Sequence, residues 1–186
     1  MTSQKFCTCR PGATVWLTGL PSAGKTTIAR ELAGRLRAEG SRVEVLDGDE
    51  MRSCLSAGLG FGRAERETHV QRVGLVAEVL ARNGVIALVP VIAPYAASRA
   101  AVRERHANSA TAYVEVHVAT PVDVCRTRDV KGLYARQAAG AISGLTGVDD
   151  PYQIPEVPDL RIETHRQTAA QSATALHTAL KERGLA

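Results

Sequence analysis

Eight residues, Gly19-Leu20-Pro21-Ser22-Ala23-Gly24-Lys25-Thr26, lie between an apolar run at 13–18 and a helically spaced segment at 25–39. They match G-x-x-x-x-G-K-[ST], and no other feature of the chain limits its fold as strongly. The pattern works at a strand-to-helix junction. Its glycines let backbone N–H groups curl around an oxyanion, while the following helix aims its positive end at the same charge. Lys25 is spaced to reach the outer phosphates of a nucleoside triphosphate, and the Thr26 hydroxyl to bind Mg2+.

The rest of the chain alternates in the way that junction demands. Val43-Glu44-Val45-Leu46 reads as a second strand, 85–92 as a nearly all-apolar central one, 113–118 as a fourth and 160–162 as a short last strand. Between them, helical spacing runs over 25–39 with Gly40 as its stop, over 63–82 with Asn83-Gly84 as its stop, and over 98–106. Pro121 is read as the first residue of another helix, and 168–183 as a closing amphipathic one. Strands alternating with helices predict an α/β fold, a parallel sheet with helices on both faces. At 186 residues this is one domain. Residues 1–12 are expected to be a flexible N-terminus.

Composition narrows the function classes. Apolar residues make up 45% and charged residues 23%, which suits an ordinary globular domain. The net charge of +4 suits anionic ligands, but the basic residues are scattered, so nucleic acid is not an expected partner. No apolar run precedes Ala13 and none approaches membrane-spanning length, so neither a leader nor a membrane span is expected. Cys7, Cys9, Cys54 and Cys125 lack framework or metal-site spacing and are read as free thiols of a reducing, cytoplasmic compartment.

Two further stretches bear on chemistry. Asp47-Gly48-Asp49 follows the second strand, where ligands gather in open α/β sheets. A kinase needs a carboxylate at the acceptor hydroxyl and gains from a second near Mg2+. Since 85–92 carries no acid, Asp47 and Asp49 are the candidates; capping of the next helix is the plainer alternative. The stretch 131–152, KGLYARQAAGAISGLTGVDDPY, is too long and too glycine-rich to be an ordinary connection.

These segments, with "LDGDEMR", "GFGRAERE", "VIAPY", "SRAAVR", "VDVCRTRDVKGLY" and "TGVDDPY", make the chain resemble the adenylylsulfate kinases, which phosphorylate the ribose 3′-hydroxyl of adenylylsulfate with ATP. The resemblance runs from about residue 13 to the last helix. It implies a P-loop kinase sheet, a mobile lid at 131–152, Mg2+, and a homodimer of the kind used in sulfate assimilation. It also implies roles. Gly19, Ser22, Ala23, Gly24, Lys25, Thr26, Thr27 and Arg128 hold ATP, with Thr26 and Asp47 toward the metal. Asp49 faces the acceptor hydroxyl, Asp47 supports it, and Lys131 donates charge to the transferring phosphoryl group beside Lys25. Arg52 and Arg66 grip the substrate's phosphosulfate and Phe61 stacks on its adenine, with His69, Ile92 and Leu145 at the remaining acceptor positions.

The chain departs from the family on the acceptor side. Ala93 replaces a serine that some members phosphorylate, which removes any covalent route through that position. His69 replaces a substrate-contacting amide, Leu145 replaces the second aromatic that clamps the adenine, and the basic run after Tyr134 is thinned. An intact ATP side beside an altered acceptor side leaves two acceptor classes open: adenylylsulfate, which the persistence of Phe61, Arg52 and Arg66 favours, and another small hydroxyl compound. A nucleotide-binding regulator without turnover is a third reading. Retention of Lys25, Thr26 and both aspartates argues against it.

Overall fold

The computed structural model describes residues 11–186; the expectation for the N-terminus, and Cys7 and Cys9, fall largely or wholly outside them. Five strands form one parallel sheet in the order β2-β3-β1-β4-β5, with β1 Ala13–Thr18, β2 Val43–Val45, β3 Ile86–Pro90, β4 Ala112–Val118 and β5 Leu160–Ile162. The helices are α1 Lys25–Ala38, α2 Gly48–Cys54, α3 Arg63–Arg82, α4 Ala96–Asn108, α5 Val122–Arg128, α6 Leu133–Ala138 and α7 Ala169–Glu182.

Strand periodicity sorts the core into two layers. Val15 and Leu17 of β1, Ile86 and Leu88 of β3, and Val114, Val116 and Val118 of β4 pack with α1 and α7. Trp16, Ala87 and Val89 point to the other face, against Val70, Val73 and Ala77 of α3 and Val102 of α4. β1 and β3 are buried on both faces, so they read as unbroken apolar runs.

β4 differs. Its second face carries Glu115 and His117, both buried. Arg99 of α4 donates to Glu115 at 2.8 Å, to the Ala93 carbonyl at 2.8 Å and to the Gln153 carbonyl at 2.7 Å. Arg103 bridges Glu115 and Asp159 at 3.1 and 2.9 Å. The pairing satisfies charges that would otherwise be costly to bury. It also ties the loop after β3 to the segment following residues 131–152. His106, fully buried, donates from Nδ1 to the Val102 carbonyl and accepts at Nε2 from the Thr14 hydroxyl, each at 2.8 Å, which makes it a structural rather than a ligating histidine.

Local expectations were met with small shifts. Gly40, at φ 82°, ends α1, and the Ser41 and Gly40 amides cap the Leu36 and Arg37 carbonyls. Pro121 precedes α5 as its cap rather than its first residue, since its ψ of 146° is not helical. The apolar run at 85–92 is in strand only over Ile86–Pro90.

Candidate active site

β1 ends at Thr18, and the loop after it is shaped by close approach. A Cβ on Gly19 would meet the Val118 carbonyl at 2.6 Å. Gly24, at φ 101°, takes a backbone form that suits glycine, and no side chain caps the N–H groups that open α1. Those N–H groups are therefore available to an anion, at the positive end of a 14-residue helix. The Ala23 carbonyl accepts from Thr120 at 3.0 Å and from Thr164 at 2.8 Å, which fixes the loop from behind. Lys25 is buried and donates to the Gly19 and Leu20 carbonyls at 2.8 and 2.7 Å. Burial lowers its pKa to about 8, an effect that nearby carboxylates Asp49 and Asp47 only partly offset.

This loop forms one wall of a cleft of about 630 Å³ at the carboxyl ends of the strands. Ser22, Ala23, Gly24, Lys25, Thr26, Thr27, Asp47, Asp49, Arg52, Phe61, Arg66, His69, Ile92, Arg128 and Lys131 all line it. Gly19 stands behind the lining as the acceptor for Lys25.

Asp47 caps α2, a helix not assigned from the sequence, accepting from the Asp49 amide at 3.0 Å. The capping alternative and the site reading thus hold together, because the same cap turns both carboxylates into the cleft. Asp49 forms an ion pair with Lys131, the residue at the root of the 131–152 stretch.

At the far end, α2 and α3 hold the loop that presents Phe61. The Glu65 carboxylate accepts from the Gly60 and Gly62 amides at 2.6 and 3.0 Å, and these bonds lower its pKa. Arg52 donates to the Gly60 carbonyl at 3.1 Å and lies over the Phe61 ring at 4.7 Å. Arg66 donates to the Phe61 carbonyl at 2.6 Å. The ring itself remains 66% exposed, an open platform with cations around it. His69 is buried near Arg52 and Arg72, and its Nδ1 lies 2.9 Å from the Ser56 hydroxyl.

The 131–152 stretch is ordered at both ends. Tyr134 of α6 is buried and donates to the Pro21 carbonyl at 3.1 Å. Arg66 reaches the Thr146 hydroxyl at 3.1 Å and the Gly144 carbonyl at 2.6 Å. Tyr95 donates to Asp150, and Tyr152 lies 3.0 Å from the Thr18 hydroxyl. Exposed residues concentrate in the middle, over 135–143. Leu145, expected to touch the acceptor, is buried in the α1/α7 core layer and does not line the cleft. An aliphatic residue at that position meets its own requirement by joining the core.

Sequence reasoning missed Thr164 and Gln167, which line the cleft from the β5–α7 connection. Thr164 accepts from Arg128 at 2.8 Å and contacts Ala23, 141 positions away in the chain. No local signal marks such a residue. Among the described residues no cluster of three or more His, Cys, Asp or Glu could hold a metal alone. The oxygen donors Thr26 and Asp47 nevertheless border the loop together. That set suits a hard cation that keeps waters and phosphate oxygens as its other ligands.

Comparison with known proteins identifies the family. The sequence model of the family described as adenylylsulphate kinase matches residues 11–163. An adenylyl-sulfate kinase from Synechococcus sp. (strain JA-2-3B'a(2-13)) is 49% identical over 175 residues, covering 94% of this chain and 98% of the relative. One from Myxococcus xanthus is 45% identical, covering 94% of each. The structure of Mycobacterium tuberculosis APS kinase CysC in complex with AMPPNP and APS superposes with a TM-score of 0.89 at 41% identity, covering 92% of this chain and 98% of that one.

Proposed function

The chain belongs to the adenylylsulfate kinase family, and on that premise we propose how its cleft works. The enzyme is an ATP-dependent kinase acting on adenylylsulfate. The 3′-hydroxyl oxygen attacks the γ-phosphorus of ATP, the bond from that phosphorus to the β,γ-bridging oxygen breaks, and ADP and the 3′-phosphorylated product leave. One observation carries the division of labour. Asp49 and Lys131 meet in a cleft that has a phosphate-binding loop on one wall and two guanidiniums around an open aromatic ring at its end.

The α1 N–H groups and Lys25 hold the phosphates, with Ser22, Ala23, Thr27 and Arg128 completing the ATP side. Thr26 and Asp47 are the residues that would hold Mg2+, which when bound neutralises charge on the phosphate oxygens. Asp49 orients the acceptor hydroxyl and takes its proton. Lys131 exchanges Asp49 for the transferring phosphoryl group, whose spread negative charge rewards a positioned cation. Arg52 and Arg66 receive the anionic part of the acceptor, Phe61 stacks on its base, and His69 and Ile92 shape the rest. Leu145 supports the lid from within the core rather than by contact. The lid excludes water when it closes. A cytoplasmic homodimer is the working form that the family resemblance supports.

A coupled ADP-release assay with Mg-ATP tests the acceptor. Robust turnover with adenylylsulfate supports the reading. Turnover with other hydroxyl compounds but none with adenylylsulfate would overturn it, and ATP binding without turnover would point to a regulator.

A further inference from the structure

His69 and Ser56 form a pair that no part of the phosphoryl-transfer chemistry requires. Ser56 follows the end of α2 and is 1% exposed. Among the described residues its hydroxyl has one hydrogen-bond partner, His69 Nδ1 at 2.9 Å. A hydroxyl carries one donor and can also accept. Were Nδ1 the donor, the Ser56 O–H would be a buried donor with no acceptor, a substantial loss. Were Ser56 the donor, only an unused lone pair would remain. The second arrangement is the cheaper one, and it leaves the imidazole proton on Nε2. That nitrogen makes no hydrogen bond among the described residues and is not one of the enclosed unpartnered atoms. It is not fully enclosed, and His69 lines the cleft with Arg52, Arg66 and Phe61.

We propose that Ser56 is a positioning residue that fixes His69 in its Nε2-protonated tautomer, so that His69 offers an anionic oxygen of the acceptor a neutral N–H donor. The ligand half of this statement rests on the adenylylsulfate reading; the tautomer half does not. Arg52 from α2 and Arg72 from α3 are the cations that face the ring, and they add to its burial in holding the pKa at about 4. A neutral donor adds direction to a site already rich in guanidinium charge, without a further cation to be held apart when the acceptor is absent.

Imidazole 15N spectroscopy on the full chain labelled at histidine reads the tautomer without any acceptor. The expected result is a His69 Nε2 that carries the proton and an Nδ1 that accepts, with no titration from neutral pH down to about pH 5. In Ser56→Ala the two tautomers should mix. The KM for adenylylsulfate should then rise by the inverse of the Nε2-protonated fraction, about two-fold for an even mixture, while kcat and the KM for ATP stay put. In a His69→Asn background, Ser56→Ala should change the acceptor KM no further. A proton on Nδ1, an equal rise in both KM values, or additive effects in the double variant would overturn the proposal. If adenylylsulfate is not turned over while the tautomer is as expected, the function reading fails alone. If it is turned over but Nδ1 carries the proton, the Ser56 proposal fails alone.

Discussion

Asp49 and Lys131 are 82 positions apart, yet they form an exposed ion pair at the mouth of the cleft. Such a pair contributes little to stability because solvent screens it. Its value is positional, and Asp49→Asn separates the two. Turnover should drop by about two to four orders of magnitude, the range for loss of a positioned acid–base group, with ATP binding retained and the melting temperature little changed. Near-normal turnover would remove Asp49 from the mechanism. Lys25 offers a second test. Its pKa of about 8 belongs to a buried amine that, among the described residues, is hydrogen-bonded only to carbonyls. Phosphate beside it favours the charged form. ATP binding above pH 8 should therefore take up protons, seen as a dependence of calorimetric heat on buffer ionisation enthalpy. Lys25→Met should abolish that dependence and weaken ATP binding.

At the level of elements, the 131–152 stretch is anchored at both ends and exposed in the middle. Gly140 and Gly147 both have positive φ, at 71° and 86°. A Cβ at Gly140 would meet nothing, whereas one at Gly147 would lie 2.4 Å from Leu20 Cδ2 of the phosphate loop. Gly140→Ala should cost about 1 kcal/mol of backbone strain and leave ATP affinity alone. Gly147→Ala carries the same strain and also displaces Leu20, so it should raise the KM for ATP as well. Equal effects on ATP from both variants would mean that the end of the 131–152 stretch and the phosphate loop are not coupled. α2 and α6 escaped detection in the sequence because each is short and lacks a buried apolar stripe. α2 buries nothing, and α6 buries only Tyr134. Without a stripe, the 3.6-residue period has no carrier.

Across the whole molecule, three histidines, His69, His106 and His117, sit buried in the neutral form. Burial holds His69 and His117 at about 4, against 6.5 in an unfolded chain. Above pH 6.5 neither state binds these protons and the full stability is present. Between 6.5 and about 4 the unfolded chain takes up protons that the fold refuses, so stability falls as pH falls. Urea unfolding followed over that window should show an uptake of about two or more protons, and His117→Gln should reduce it by about one. A stability that stays flat down to pH 5 would refute this account.

The sequence by itself determined the class of fold, the phosphate loop and the family. Each of these is written in neighbouring residues: a strand period of two, a helix period near 3.6, and glycines at fixed offsets around Lys25. It also carried the identity of Asp49, Arg52, Phe61 and Arg66 as candidates, because they lie in short motifs. Tertiary structure alone decided what each of them touches. Leu145 turned inward because the core offered its apolar side chain more than the cleft did. Thr164 and Gln167 joined the cleft through a connection remote in sequence. Ser56 met His69 across the α2–α3 connection. These outcomes depend on distances between elements, set by how two apolar layers close over one sheet, and no local pattern encodes them.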